Sequence, residues 1–298
     1  MTDFLQFSYQ GLVLGSIYAL IALGFVIIYK TSEVVNFAQG ELVLLGAYFV
    51  LLWRNDVGLP FALAVPIAML MMMVIGLVVE RVVLRPMVGK PIFSVVMITI
   101  GLAIVIHQLV TSVWGFSPRN IDDPWGTKQV EIGGVLLSHV SIATLIATVI
   151  LMAAFFWFFK YTKFGIAMRA AAFDPEAALS LGIGVRRMTA TAWVIAGLTA
   201  TVAGVLLSGF PRGLNPNLSF VALRAFPAII VGGLDSTGGA VVGGLMIGWI
   251  ELMVQGYGGD VAPWLGENFH VIAAYAVMVV VLMIRPYGLF GTKEVERV

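Results

Sequence analysis

Five stretches of this 298-residue chain run without a single Asp, Glu, Lys or Arg: Phe4–Tyr29, Val57–Val79, Pro91–Pro118, Ile132–Phe159 and Met188–Pro211. A hydrocarbon layer about 30 Å thick is crossed by roughly 20 apolar residues of helix, so each run is long enough to span. In lipid the backbone must satisfy its own hydrogen bonds, which leaves helices or closed barrels. Barrel strands would show short alternating segments, and these runs do not alternate. The composition agrees, with 60% hydrophobic and 11% charged residues and a mean hydropathy of +1.01. A soluble domain carries about 25% charged residues, so a water-soluble globule is excluded.

The other apolar segments are less regular. Asn36–Trp53 is apolar after Asn36, Gln39 and Glu41, Phe220–Leu234 and Gly238–Leu252 are short, and Phe269–Ile284 closes the set. Together they predict an all-α polytopic membrane protein, one domain over residues 1–298, with about eight to ten transmembrane or re-entrant helices. The first segment lacks a basic leader and exceeds a signal-peptide core, so it reads as a retained span. Basic residues collect at Arg81, Arg85 and Lys90, at Lys160, Lys163, Arg169, Arg186 and Arg187, and in the tail at Arg285, Lys293 and Arg297. These loops belong in the cytoplasm, which puts the N-terminus and the acid-leaning loop around Asp122, Asp123 and Glu131 outside. Gln10–Tyr29 leads through a polar stretch into a short apolar segment, and Met188–Phe210 does the same in the opposite direction. That pairing suggests an inverted repeat.

Several chemistries are absent from the sequence. Seventeen Lys+Arg against sixteen Asp+Glu give a net charge of +1, so no field for nucleic acid is expected. There is no cysteine, hence no disulfide, iron–sulfur cluster or thiol nucleophile. Gly89-Lys90-Pro91 is not a phosphate-binding loop, and His107, His139 and His270 lack metal-ligand spacing. No catalytic constellation or cofactor site is legible.

What remains are polar residues in apolar surroundings. Arg224 and Glu251 lie inside apolar segments, where an ionisable group either serves a function or snorkels to an interface. Asn36 reads as the cap of a helix beginning at Phe37. With Gln39 and Glu41 it also reads as part of the cytoplasmic mouth of a pathway. The glycine pairs between Val231 and Gly244 suit close helix packing.

The loop 160–187 is long enough to need a purpose. Phe164–Phe173 is apolar enough for a surface helix. After it Asp174 can cap a second helix, with Pro175 at its first position and Glu176 in its first turn. Ala177, Ala178 and Leu179 continue that helix, and Gly182 or Gly184 can end it.

Glu176-Ala-Ala-x3-Gly182 resembles the loop by which permeases of bacterial ATP-binding-cassette importers dock onto their ATPase subunits; the family's further I-x-L-P ending is missing. Gly15–Gly24, Val35–Glu41, Leu223–Leu234 and Ile284–Gly291 resemble, in order along the chain, the branched-chain amino acid permeases, and among them the LivH-type subunit. The resemblance implies a multi-pass permease of the bacterial inner membrane without an ATPase site of its own. It further implies a second homologous permease, two cytoplasmic ATPases that use ATP and Mg, and an external substrate-binding protein. Asp174, Glu176, Ala177, Ala178 and Gly182 would then form the coupling helix. Asn36, Gln39, Glu41, Arg224 and Glu251 are the candidate pathway or gate residues. Leucine, isoleucine and valine are the expected substrates. Urea or short amides in the same importer class, or an ion-coupled carrier using Glu41 or Glu251, stand as alternatives. An intramembrane enzyme would need paired catalytic residues at one depth, which the sequence does not supply.

Overall fold

The computed structural model describes residues 2–209, 213–261, 266 and 269–292. Lys293 and Arg297 of the basic tail lie outside the described residues. The helices in chain order are α1 (Thr2–Ser32), α2 (Gln39–Leu51), α3 (Phe61–Val79) and α4 (Ile92–Trp114). A small antiparallel hairpin, β1 (Gln129–Ile132) and β2 (Val135–Ser138), precedes α5 (His139–Tyr161). Then come α6 (Lys163–Phe173), α7 (Pro175–Ser180), α8 (Val185–Ser208), α9 (Leu218–Leu223), α10 (Ala225–Gly232), α11 (Thr237–Val261) and α12 (Phe269–Ile284). Six helices among the described residues are long and apolar enough to cross a membrane: α1, α3 with its extension to Met87, α4, α5, α8 and α11. The all-α, polytopic reading holds.

Two boundaries differ from the expectation. The glycine-rich segment read as the short Gly238–Leu252 belongs to the 25-residue helix α11, because neighbouring helices lie against its small residues and compensate for glycine's low helix propensity. Residues 132–138, read as the start of a span, belong to the hairpin, turned by Gly133 and Gly134 at positive φ.

From Leu14 to Ile28 helix α1 is enclosed, while its first turns are exposed, and α8 is mostly enclosed. Helices α4 and α5 present most of their length outward. The long helix α1 is followed by a break and the short α2; α8 is followed by a break and the short pair α9–α10. The counterparts pack on each other, α1 on α8 and α2 on α9, as expected of two units of opposite direction.

What lets α1 run through the centre is close backbone contact with α11. Lipid tails are as apolar as leucine, so helices in a membrane associate through packing rather than through expulsion of water. Gly11 and Gly15 of α1 meet Gly244, Leu245, Gly248 and Trp249 of α11. A Cβ on Gly15 would lie 2.7 Å from the Leu245 Cα, and one on Gly11 2.8 Å from the Trp249 Cα. Each helix therefore offers two small residues four apart at the same crossing.

The chain end is tied in as well. Leu289 and Phe290 donate backbone hydrogen bonds to Val231 (2.8 Å) and Gly232 (3.1 Å), satisfying carbonyls at the end of α10. Thr292 bonds the carboxylate of Asp235 in the turn before α11. The 284–291 and 231–234 segments thus close over one another at the face read as cytoplasmic.

Gly248→Leu should separate α1 from α11 and destabilise the protein by about 1–3 kcal/mol or more, the usual cost of overpacking a filled core. A thermal melt of the detergent-purified protein measures it. An unchanged midpoint would show that the crossing is loose.

Candidate functional site

Besides the Glu80–Arg85 pair (3.0 Å) towards the end of the span that begins with α3, two paired carboxylates lie within the spanning region among the described residues, and both adjoin the broken element α9–α10. The first joins Glu41 in the first turn of α2 to His107 of α4, with Nδ1 3.1 and 3.2 Å from the two carboxylate oxygens. Ser219 of α9, whose hydroxyl donates to the Pro216 carbonyl at 3.2 Å, lies beside the same carboxylate. The next residue, Phe220, sets its ring 6.2 Å from the His107 ring. An ionised carboxylate only accepts, so with Glu41 charged the imidazole proton is on Nδ1.

The second pair joins Arg224, at the junction of α9 and α10, to Glu251 of α11, with Nη1 3.0 Å from Oε1. The Tyr18 hydroxyl of α1 donates to the other oxygen at 2.8 Å. Glu251 is only 3% exposed. A charge at the centre of a membrane helix costs about 2.5–3.5 kcal/mol on insertion scales, so each carboxylate needs the partners it has found. Four residues of chain separate Ser219 from Arg224, so one short helix is flanked on both sides.

Arg224 and Glu251, singled out separately in the sequence, are therefore one unit. Asn36, Gln39 and Glu41 divide differently from the expectation. Asn36 does not cap a helix at Phe37: its Oδ1 accepts from the Ala38 N–H at 3.1 Å in a side-chain turn, and α2 begins at Gln39. Phe37 and Ala38 lie between Asn36 and the first helical residue, so its oxygen bonds the turn that leads into the helix. Asn36 lines a cytoplasmic crevice of about 340 Å³ with Lys30, Arg85, Lys90, Arg186 and Thr99. Gln39 and Glu41 are buried farther along α2 and do not form that mouth. His107, Tyr18 and Ser219 were missed. An isolated histidine carries no local signature, and the Glu41–His107 contact spans 66 residues of sequence.

On the opposite side a vestibule of about 370 Å³ reaches from the loop residues Asn215 and Asn217 down to Tyr18, Arg224 and Glu251. Among the described residues no group of three or more His, Asp or Glu side chains could hold a metal.

The cytoplasmic loop forms its own, separate device. Asp174 Oδ1 accepts from the Ala177 N–H at 2.9 Å, capping α7, and Pro175 takes the first helical position. Gly182, at φ +81°, ends it: Ile183 N–H bonds the Ala178 carbonyl at 2.9 Å and Gly182 N–H bonds Leu179 at 3.0 Å. Ala178 faces inward, Glu176 sits exposed in the first turn, and Phe173 and Leu181 stand 89% and 79% exposed.

His107→Ala would leave the Glu41 carboxylate buried without its imidazole, at a cost of about 3–5 kcal/mol. Glu41→Gln added to it should recover part of that loss in a thermal melt. Strict additivity of the two changes would show that the groups do not interact.

Residues 8–284 match the family described as branched-chain amino acid transport system, permease component. The chain is 32% identical over 308 aligned residues to the high-affinity branched-chain amino acid transport system permease protein LivH of Escherichia coli strain K12, covering 99% of this chain and 98% of that protein. It is 30% identical, with the same coverage, to the permease protein BraD of Pseudomonas aeruginosa. Among solved structures it resembles PsaBC from Streptococcus pneumoniae in complex with Fab, with a TM-score of 0.50 and 14% identity over 96% of this chain and 94% of that one, a likeness of fold alone. With buried carboxylates paired inside a bundle of membrane-spanning helices and a family match over nearly its whole length, this multi-pass membrane protein belongs to the branched-chain amino acid permease family.

Proposed function

We propose that the chain is a transmembrane subunit of an ATP-binding-cassette importer in the bacterial inner membrane, passing leucine, isoleucine and valine delivered by an external binding protein. The end-to-end similarity to LivH and BraD carries this reading. Its partners are a second homologous permease, two cytoplasmic ATPases and the binding protein. The chain binds no cofactor of its own, and ATP and Mg act in the ATPases.

The loop geometry supports the coupling role. A six-residue helix is too short to persist unaided, and this one is fixed by a side-chain cap at one end and a left-handed glycine at the other. Around it Phe173, Leu179 and Leu181 expose apolar surface on a loop read as cytoplasmic, as a protein-docking patch does. The ATPase would seat there, so that closure on ATP moves α7, and through α6 and α8 the bundle.

The pathway is proposed to border the strip formed by His107, Phe220 and Arg224. Phe220 is 60% exposed beside an imidazole and a guanidinium that are themselves about a quarter exposed. Lipid is a costly neighbour for such a strip, whereas the water of a pathway or a second permease is not.

Gly182→Pro cannot adopt a positive φ, and Glu176→Lys puts a cation at the positive end of the helix. Both should leave the permease in the membrane, abolish leucine uptake and reduce recovery of the ATPase in a mild-detergent pull-down analysed by mass spectrometry. Normal uptake by both variants would remove α7 from the coupling mechanism. A wild-type chain that purifies alone and transports alone would overturn the importer reading itself.

A further inference from the structure

We infer that the Arg224–Glu251 pair is a transfer site for the zwitterionic head of the amino acid, at the floor of the outer vestibule, with the aliphatic side chain held by the vestibule wall. This inference rests on the proposed branched-chain amino acid substrate.

Geometry and chemistry meet at this point. Arg224 reaches Glu251 through one nitrogen, Nη1, and among the described residues that is the hydrogen bond its guanidinium makes. A guanidinium offers five N–H donors in a planar fork suited to a carboxylate, so donors remain for an incoming α-carboxylate. Glu251 is held on its other oxygen by Tyr18, so it stays in place when the arginine turns toward substrate. Its Oε1 is then released to accept from the α-ammonium. The mutual ion pair opens into two pairs with the substrate, and no charge is left uncompensated at any stage.

The wall above supplies the rest of the specificity. Leu14, Leu207, Leu218, Val221 and Leu252, from α1, α8, α9 and α11, give the vestibule an aliphatic side, while Asn215, Asn217, Gln255 and His270 supply its polar side. The volume of about 370 Å³ falls within the range, about 300–1,000 Å³, in which small molecules are bound. A charged pair beneath an aliphatic sleeve matches the two parts of leucine, isoleucine and valine. Urea would leave the sleeve unused and both charges only partly answered.

The test is leucine uptake by proteoliposomes holding the complete importer and its binding protein. In the variant Arg224→Met with Glu251→Leu both charges go together, which avoids stranding one of them in the membrane. The assembled complex should still be recovered, with leucine uptake lower by about ten- to a hundredfold, the equivalent of one or two charge-assisted hydrogen bonds. A second variant, Val221→Trp, keeps the pair and fills the sleeve, and it should block leucine uptake as well. If the paired variant does not assemble, Val221→Trp decides alone. Uptake at the wild-type rate by Val221→Trp, or by an assembled paired variant, would overturn the transfer site while leaving the importer reading intact. Failure of the wild-type importer to take up leucine, isoleucine or valine would instead overturn the substrate reading, and the site with it.

Discussion

A carboxylate placed inside a bilayer must find its counter-charge within the protein, because the surrounding hydrocarbon offers none. Glu41 and Glu251 are both in that position, and the partners they find fix how the helices come together. Glu41 joins α2 to α4 through His107, with Ser219 and Phe220 of α9 beside the contact. Glu251 gathers α1, α11 and the α9–α10 junction through Tyr18 and Arg224. The short helix α9 is common to both. It cannot cross the membrane by itself, and the two pairs pin it beside the break where backbone polar groups need protein around them.

Close packing does the remaining structural work. The Leu14–Ile28 part of α1 runs through the middle of the molecule with almost no exposed surface, and it does so because α11 meets it glycine to glycine. The polar contacts therefore need not hold the bundle together alone. Inside a membrane, shape complementarity supplies stability while ion pairs select the register, and here the two sets of contacts converge on α1 and α11.

Legibility in the sequence followed the distance over which each interaction acts. Asp174, Pro175, Glu176 and Gly182 act within one turn, and their spacing is enough to describe the capped helix that the structure contains. The long apolar runs announced their helices for the same reason. Arg224 and Glu251 stood out as charges in apolar segments, yet nothing local says that they bind each other or that Tyr18, 233 residues away from Glu251, completes the site. His107 was passed over because a single histidine has no periodicity. The cap expected at Asn36 failed on two residues of backbone: the same preference for bonding nearby N–H groups that makes asparagine a capping residue also makes a tight side-chain turn. Sequence periodicity gives faces of helices, but which faces meet is decided by contacts it does not encode.

On the proposed function, the strip around Phe220 borders an aqueous pathway rather than lipid. With no native cysteine in the chain, one Phe220→Cys substitution gives a single reporter, and Ile150→Cys on the outward face of α5 gives a lipid-facing control. A charged, membrane-impermeant thiol reagent applied to the assembled importer in proteoliposomes should label position 220, at rates that differ between nucleotide-free and ATP-trapped states, and leave position 150 unmodified. If position 220 were as inert as position 150 in both states, the strip would face lipid or a dry interface, and the pathway would have to be sought elsewhere.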